Sequence, residues 1–311
     1  MEEAFPYRIE RLRDDLLPDV QRLFAEVMHQ DVSLEYLRRK YDTRHSGHQY
    51  LSSIAYDGHR PVAFYGAIPQ IFSGPTGQFV GCHAADLMTV ADHQRKGLHR
   101  QLGLAAYAWM RAEGVRFVYG FLSENSYQSS MKLDWRVWGK LRGYALKAAR
   151  FPLAKVFRRV PGLREWQVSR TSKALSQYAL AHEDFFNSNA ASGISVEYSQ
   201  ALIASKAFHK HYLVAFSGVK FWLSIDAVVR VGDVHFENAM QFDQGLSELI
   251  RIARKLGYGQ ILFQTYPGSP LDNVLAQQHE GFESWIVGYL PLGEEIDFMQ
   301  YRPNYADQDS F

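Results

Sequence analysis

The chain has 311 residues, 47% of them apolar, and 34 Lys and Arg against 33 Asp and Glu give a net charge of +1. It is long enough for one large domain or two of about 150 residues, and its balanced charge supplies no global drive toward nucleic acid. The single cysteine, Cys82, excludes an internal disulfide framework and fits a reducing compartment; in its apolar, strand-like surroundings it reads as a small buried hydrophobe. The segment from Met1 to Pro6 has neither a basic start nor an apolar core, so it does not read as a signal peptide. No apolar run approaches the ~20 residues that span a bilayer. A soluble, cytoplasmic protein without a membrane span is expected.

Residues 7–12 form a short strand candidate. Leu16, Leu17, Val20, Leu23, Phe24 and Val27 recur at helical spacing, and Ser33 can cap a second helix running to Tyr41. Residues 50–56 read as a strand, Asp57-Gly58 as a hairpin turn and residues 61–72 as the partner strand. After a turn at residues 74–77, residues 78–90 form the next strand. Residues 91–97 are polar with one glycine and read as a tight loop. Leu98, Leu102, Ala105, Ala106 and Trp109 then recur at helical spacing up to Glu113-Gly114. Backbone N–H groups at such a helix start are unpaired and lie at the positive end of its dipole, so they can hold a phosphate, and Arg95 and Lys96 add charge. Neither a P-loop nor a G-x-G-x-x-G fingerprint is present.

The loop, with Gln94, Gly97 and His99, resembles the acetyl-CoA loop of the GNAT N-acetyltransferases, Gln/Arg-x-x-Gly-x-Gly/Ala. His99 departs from the usual small residue. Residues 87–93 stand where that family has its fourth strand and the approach to the loop, and residues 118–122 look like its fifth strand. The helix opened by Asn125 ends at Lys132-Leu133-Asp134-Trp135, which looks like the family's Lys-x-Gly-Phe ending with Asp134 in place of glycine. The order of elements over roughly residues 5–150 also resembles the GNAT order.

The resemblance implies acetyl-CoA as co-substrate, bound by backbone N–H groups around Arg95, Lys96, Gly97, Leu98 and His99 with Gln94. It also implies a backbone N–H near Met88, Thr89 and Val90 that polarises the thioester carbonyl; one such donor is typically worth ~3–4 kcal/mol. Asp86, Glu124 and His83 are candidates for the general base. Each has a structural alternative: a hydrogen-bonded strand residue, a helix-start charge and a satisfied histidine. The family's thiolate-protonating tyrosine falls by spacing on Ser130. Tyr127 lies three residues earlier and is the candidate acid, with solvent as the alternative. Asn125 is expected as an N-cap, a coenzyme contact or both. No His/Cys cluster has metal-ligand spacing, so no metal is expected.

Residues 132–173 carry twelve basic residues against Asp134 and Glu165. The segment reads as a solvated face and linker; the other reading is an anionic partner, meaning coenzyme phosphates, an acidic substrate or a membrane surface. Interleaved aromatics also suit nucleic acid, but no RNP, KH or zinc-finger pattern accompanies them and no nucleic-acid partner is expected. Farther on, paired strands at 220–225 and 227–236, an amphipathic helix at 242–256, a strand at 260–264, a short helix at 270–278, Gly281-Phe282 and a strand at 285–290 repeat the first half's later pattern. At the loop position stand Glu237 and Asp243 and no basic residue, so loss of coenzyme binding is expected there.

The expected architecture is α+β: two GNAT-like units, each a mixed, mostly antiparallel twisted sheet flanked by helices, the second one trimmed. The expected boundaries are 1–150 for the catalytic unit, 151–195 for a connecting segment and 196–311 for the degenerate unit. The expected activity is acyl transfer from a coenzyme A thioester to the amine of an acceptor that the sequence does not identify. The alternatives are a Fem-type aminoacyl transferase, which would not need the Gln94-x-x-Gly97 loop, and a non-catalytic binding or regulatory module.

Overall fold

The computed structural model describes residues 6–206, 210–293, 296–309 and 311, the side chains of Asn125 and Pro161 excepted. It begins with β1 (Arg8–Arg11), followed by α1 (Leu17–Val27), whose Leu17, Val20, Leu23 and Phe24 are buried as their spacing requires. In α2 (Leu34–Tyr41) the Ser33 side chain accepts from the Tyr36 N–H, the cap anticipated from the sequence. Three antiparallel strands follow: β2 (Ser53–Asp57), β3 (Arg60–Gly74) and β4 (Gly77–Thr89). Next come α3 (Leu98–Ala112), β5 (Phe117–Leu122), which is parallel to β4, and α4 (Glu124–Met131).

The basic stretch then takes an unexpected form. Residues Arg136–Lys147 are a strand, β6, in which Leu141, Tyr144 and Leu146 are buried. The high charge count hid these apolar positions. Helices α5 (Leu153–Phe157) and α6 (Pro161–Leu175) follow, then β7 (Ser195–Val196) and α7 (Gln200–Ser205). The chain continues through β8 (Lys210–Phe216), β9 (Val219–Ile225), β10 (Val229–His235), α8 (Ala239–Leu256), β11 (Gln260–Thr265), α9 (Pro270–Ala276) and β12 (Phe282–Pro291).

Two units emerge. Unit 1 comprises residues 1–139 and 286–299, and unit 2 comprises residues 140–285 and 300–311. The compact units thus do not divide at 150 or 195; each takes a strand from the other half of the chain. In unit 1 the strand order is β1-β2-β3-β4-β5-β12, with Ile286 to Pro291 antiparallel to β5. In unit 2 it is β6-β11-β10-β9-β8, with β6 antiparallel to β11 and β10 parallel to β11. In each unit the strand pairing is mixed and helices flank the strands. Each unit has its own apolar core, around Leu17, Phe64, Tyr107 and Trp135 in the first and Phe221, Leu249, Phe263 and Leu275 in the second.

Candidate active site of unit 1

Strands β4 and β5 pair only from Gly81↔Phe117 to His83↔Tyr119, and β4 continues to Thr89 without β5. The two parallel strands therefore part and leave one edge of residues 84–89 open to a ligand. A bulge lies in the same stretch. Phe64 pairs with Met88 and Gly66 with Ala85, so Asp86 and Leu87 together face Tyr65. Asp86 takes φ +50, a left-handed conformation that costs a non-glycine residue energy. Its carboxylate is gripped by the Lys40 ammonium at 2.6 Å and by a hydrogen bond from the Tyr41 hydroxyl at 2.6 Å. Gly66 permits this close approach, because a Cβ there would lie 2.7 Å from the Tyr41 oxygen.

The backbone edge can be read residue by residue. The Val90 N–H donates to the Val62 carbonyl at 3.0 Å. Alternation along an extended strand turns the Thr89 N–H to the other edge, where β5 has parted. His83 is buried on β4 with its ring against Tyr119 and Phe121.

Beyond Thr89 the chain turns through residues 91–93 and an exposed loop of Gln94, Arg95 and Lys96, with Arg95 at φ +62. Gly97 precedes α3 at φ +79 and offers no side-chain cap, so the first N–H groups of α3, those of Leu98, His99 and Arg100, lack helical partners. A Cβ built on Gly97 would meet nothing within 4 Å. This open, cationic, donor-rich start fits a pyrophosphate, and these residues could hold one. The His99 side chain does not join the loop's exposed surface. Its ring tilts against Tyr65 at 5.7 Å between centroids, and burial holds its pKa below the usual imidazole value.

On α4, Ser123 accepts from the Ser126 N–H as the N-cap, Glu124 is exposed in the first turn, Tyr127 is half-buried against the unit 1 core, and Ser130 is buried. Asn125 lies in this helix, but its side chain is outside the described residues. The helix ends where Asp134 takes φ +62, the left-handed turn for which a glycine would be the easy choice. That turn delivers Trp135 to the core, where its indole N–H donates to the Tyr107 hydroxyl at 2.9 Å and Tyr107 is bonded in turn to Tyr65 at 2.9 Å. Lys40, Tyr41 and Tyr107 were not singled out from the sequence. A buried lysine in a run of basic residues gives no sequence signal, because its partner is set by tertiary contact.

Unit 2 has its own parted strands. β10 and β11 pair from Val229↔Ile261 to Val231↔Phe263, and β10 is irregular between Val231 and Asp233. A cleft of about 340 Å³ lies there, lined by Val234, His235, Phe236, Thr265 and Ser269 among others. The start of α8 differs from that of α3: Asn238 caps it by accepting from the Gln241 N–H, and the Gln241 side chain accepts from the Glu237 N–H. Among the described residues no group of three His, Cys, Asp or Glu side chains could hold a metal, and no helix is long and apolar enough to cross a membrane.

The family model described as acetyltransferase (GNAT) domain matches residues 8–137, the part of the chain that carries this site. Solved structures share the fold at low identity. A GCN5-related N-acetyltransferase from Kribbella flavida aligns with TM-score 0.57 and 10% identity over 92% of this chain and 72% of that one. A conserved protein of unknown function from Enterococcus faecalis V583, described as a probable N-acyltransferase, gives 0.62 and 9% over 92% and 73%. A putative acetyltransferase from Pyrococcus horikoshii gives 0.53 and 10% over 98% and 96%. No curated protein matches the chain in sequence.

Proposed function

We propose that this chain transfers an acetyl or other acyl group from a coenzyme A thioester to an amine, and that unit 1 carries the chemistry. The observation that carries the reading is the parting of β4 from β5 after His83↔Tyr119, immediately ahead of an uncapped helix start at Gly97. A bound thioester would supply the activated acyl group. The N–H groups of Leu98, His99 and Arg100 hold the pyrophosphate, with Gln94, Arg95 and Lys96 around it. The Thr89 N–H, facing the open edge, polarises the acyl carbonyl from a β4 segment that includes Met88 and Val90.

Proton handling falls to α4. Glu124, exposed in the first turn, takes a proton from the amine, directly or through water, and Tyr127, one helical turn on, returns one to the leaving sulfur. Asp86, already gripped by Lys40 and Tyr41, acts by holding the bulge. Ser130, in the last turn of α4, is buried and serves packing. Unit 2 is a second, degenerate GNAT-like unit that binds no coenzyme. In support, its parallel strands part in the same way, while its helix start is capped by its own side chains and flanked by Glu237.

Calorimetric titration of the whole chain with acetyl-CoA tests the reading. One site per chain with micromolar affinity, weakening as salt is raised, is the expected result. No binding, or two equivalent sites, would overturn it.

A further inference from the structure

Helix α6 is built inside out. Its inward positions Gln167 and Thr171 are polar and bonded to the Leu256 carbonyl and the Tyr258 hydroxyl, and Leu175, with Ala174 beside it, joins the core at the helix's last turn. Its large apolar residues, Leu163 and Trp166, face solvent. The preceding segment behaves alike: Phe151 is 71% exposed, and Leu153, Val156 and Val160 are exposed with it. Phe157 and Trp166 meet edge to face at 5.8 Å, so α5 and α6 present a joint apolar surface. A solvated face would not carry six large apolar side chains within sixteen residues, and such patches mark binding surfaces.

The same segment is strongly cationic. Residues 150–173 hold seven basic side chains against Glu165 alone. Among the described residues Arg158 pairs with Asp226, whereas Arg150, Lys155, Arg159 and Arg164 form no ion pair. Arg150 lies over the Phe151 ring and Arg170 over the Trp166 ring, so charge and apolar surface are interleaved.

We propose that the α5–α6 surface of unit 2 docks on an anionic phospholipid bilayer. The apolar side chains would enter the headgroup–acyl boundary while the guanidinium and ammonium groups stay at the phosphate level. Charge complementarity selects this occupant. A second copy of the chain would bring the same cations face to face, and aliphatic Leu153, Val156, Val160 and Leu163 offer no stacking platform to nucleic-acid bases.

Vesicle co-sedimentation of the whole chain tests the proposal. Binding is expected to mixed phosphatidylglycerol/phosphatidylcholine vesicles and not to pure phosphatidylcholine. Arg159→Glu with Arg164→Glu should weaken it by ~10-fold or more, as should Phe151→Ser with Trp166→Ser. These residues are exposed, so the variants should fold. A Phe151→Cys chain labelled with an environment-sensitive fluorophore should show a blue shift on the anionic vesicles, Cys82 being buried. Absence of binding to the anionic vesicles, equal binding by all variants, or tighter binding to an RNA oligomer than to vesicles would overturn it.

Discussion

The Lys40 ammonium lies 2.6 Å from the Asp86 carboxylate, with the two side chains 4% and 13% exposed. This pair ties α2 to the β4 bulge. A buried ion pair adds little over apolar packing, but removing one member leaves an uncompensated charge and typically costs ~3–5 kcal/mol. Lys40→Met should therefore destabilise the chain by about that much in denaturant melts. Adding Asp86→Asn should recover part of the loss, since it removes the orphaned charge. Equal stability of Lys40→Met and the parent would show that the pair is not formed in solution.

Gly97→Glu should abolish coenzyme binding while the chain stays folded. The left-handed φ of +79 costs a side chain about 1–2 kcal/mol, and the space around a Cβ is open, so the substitution fits the uncomplexed chain. The carboxylate would repel a pyrophosphate at the start of α3. Gly97→Asn, which tolerates the same φ without charge, separates backbone strain from repulsion. Calorimetry showing parental affinity in the Glu variant would remove the phosphate from this loop.

Tyr127→Phe removes one hydroxyl from a half-buried side chain on α4. If that hydroxyl protonates the leaving thiolate, turnover should fall ~10²–10⁴-fold with KM little changed. A drop in KM alone, or unchanged turnover, would reassign the proton to Glu124 or solvent.

Burial pushes the Asp233 carboxyl up to about 7 despite hydrogen bonds from the Ser188 N–H, the Ser188 hydroxyl and the Val234 N–H. Asp307 is raised to about 6 by the same cause. An acid whose folded pKa exceeds its unfolded value contributes most below the unfolded pKa, and that contribution is lost as pH rises through the folded one. Stability carried by these groups should thus fall between about pH 4 and 7. For Asp233 the gap between 3.8 and about 7 corresponds to roughly 4 kcal/mol as an upper bound. Asp233→Asn should flatten the profile in chemical denaturation across that window; an unchanged slope would place the titration elsewhere.

Periodic segments were legible in the sequence because local chemistry decides them: the apolar stripe of α1, the Ser33 cap and the Leu98 to Trp109 helix all formed where expected. The Asp134 position was visible as a missing glycine, and φ +62 gives its reason. Non-local features were not legible. The Asp86 bulge needs Gly66, Lys40 and Tyr41 brought together from two other elements. β6 was masked by its charges, and no local signal says which strands it or β12 will pair with.

That last feature decides what a truncated chain can do. A chain ending at Ser172 keeps β1 to β5 but loses Ile286 to Pro291, the antiparallel partner of β5 from Leu122 to Phe117. It also loses Leu292, whose N–H donates to the Arg116 carbonyl and whose side chain is in the unit 1 core. It retains β6 without β11, so the pairing of Lys147 to Arg142 with residues 260–265 goes too. Two unpaired strand edges are templates for association. The truncated chain should therefore aggregate, and co-expressing residues 173–311 should restore solubility by returning both partners. A monomeric truncated chain with parental coenzyme affinity on size-exclusion chromatography and calorimetry would mean that unit 1 completes its sheet without the C-terminal strand.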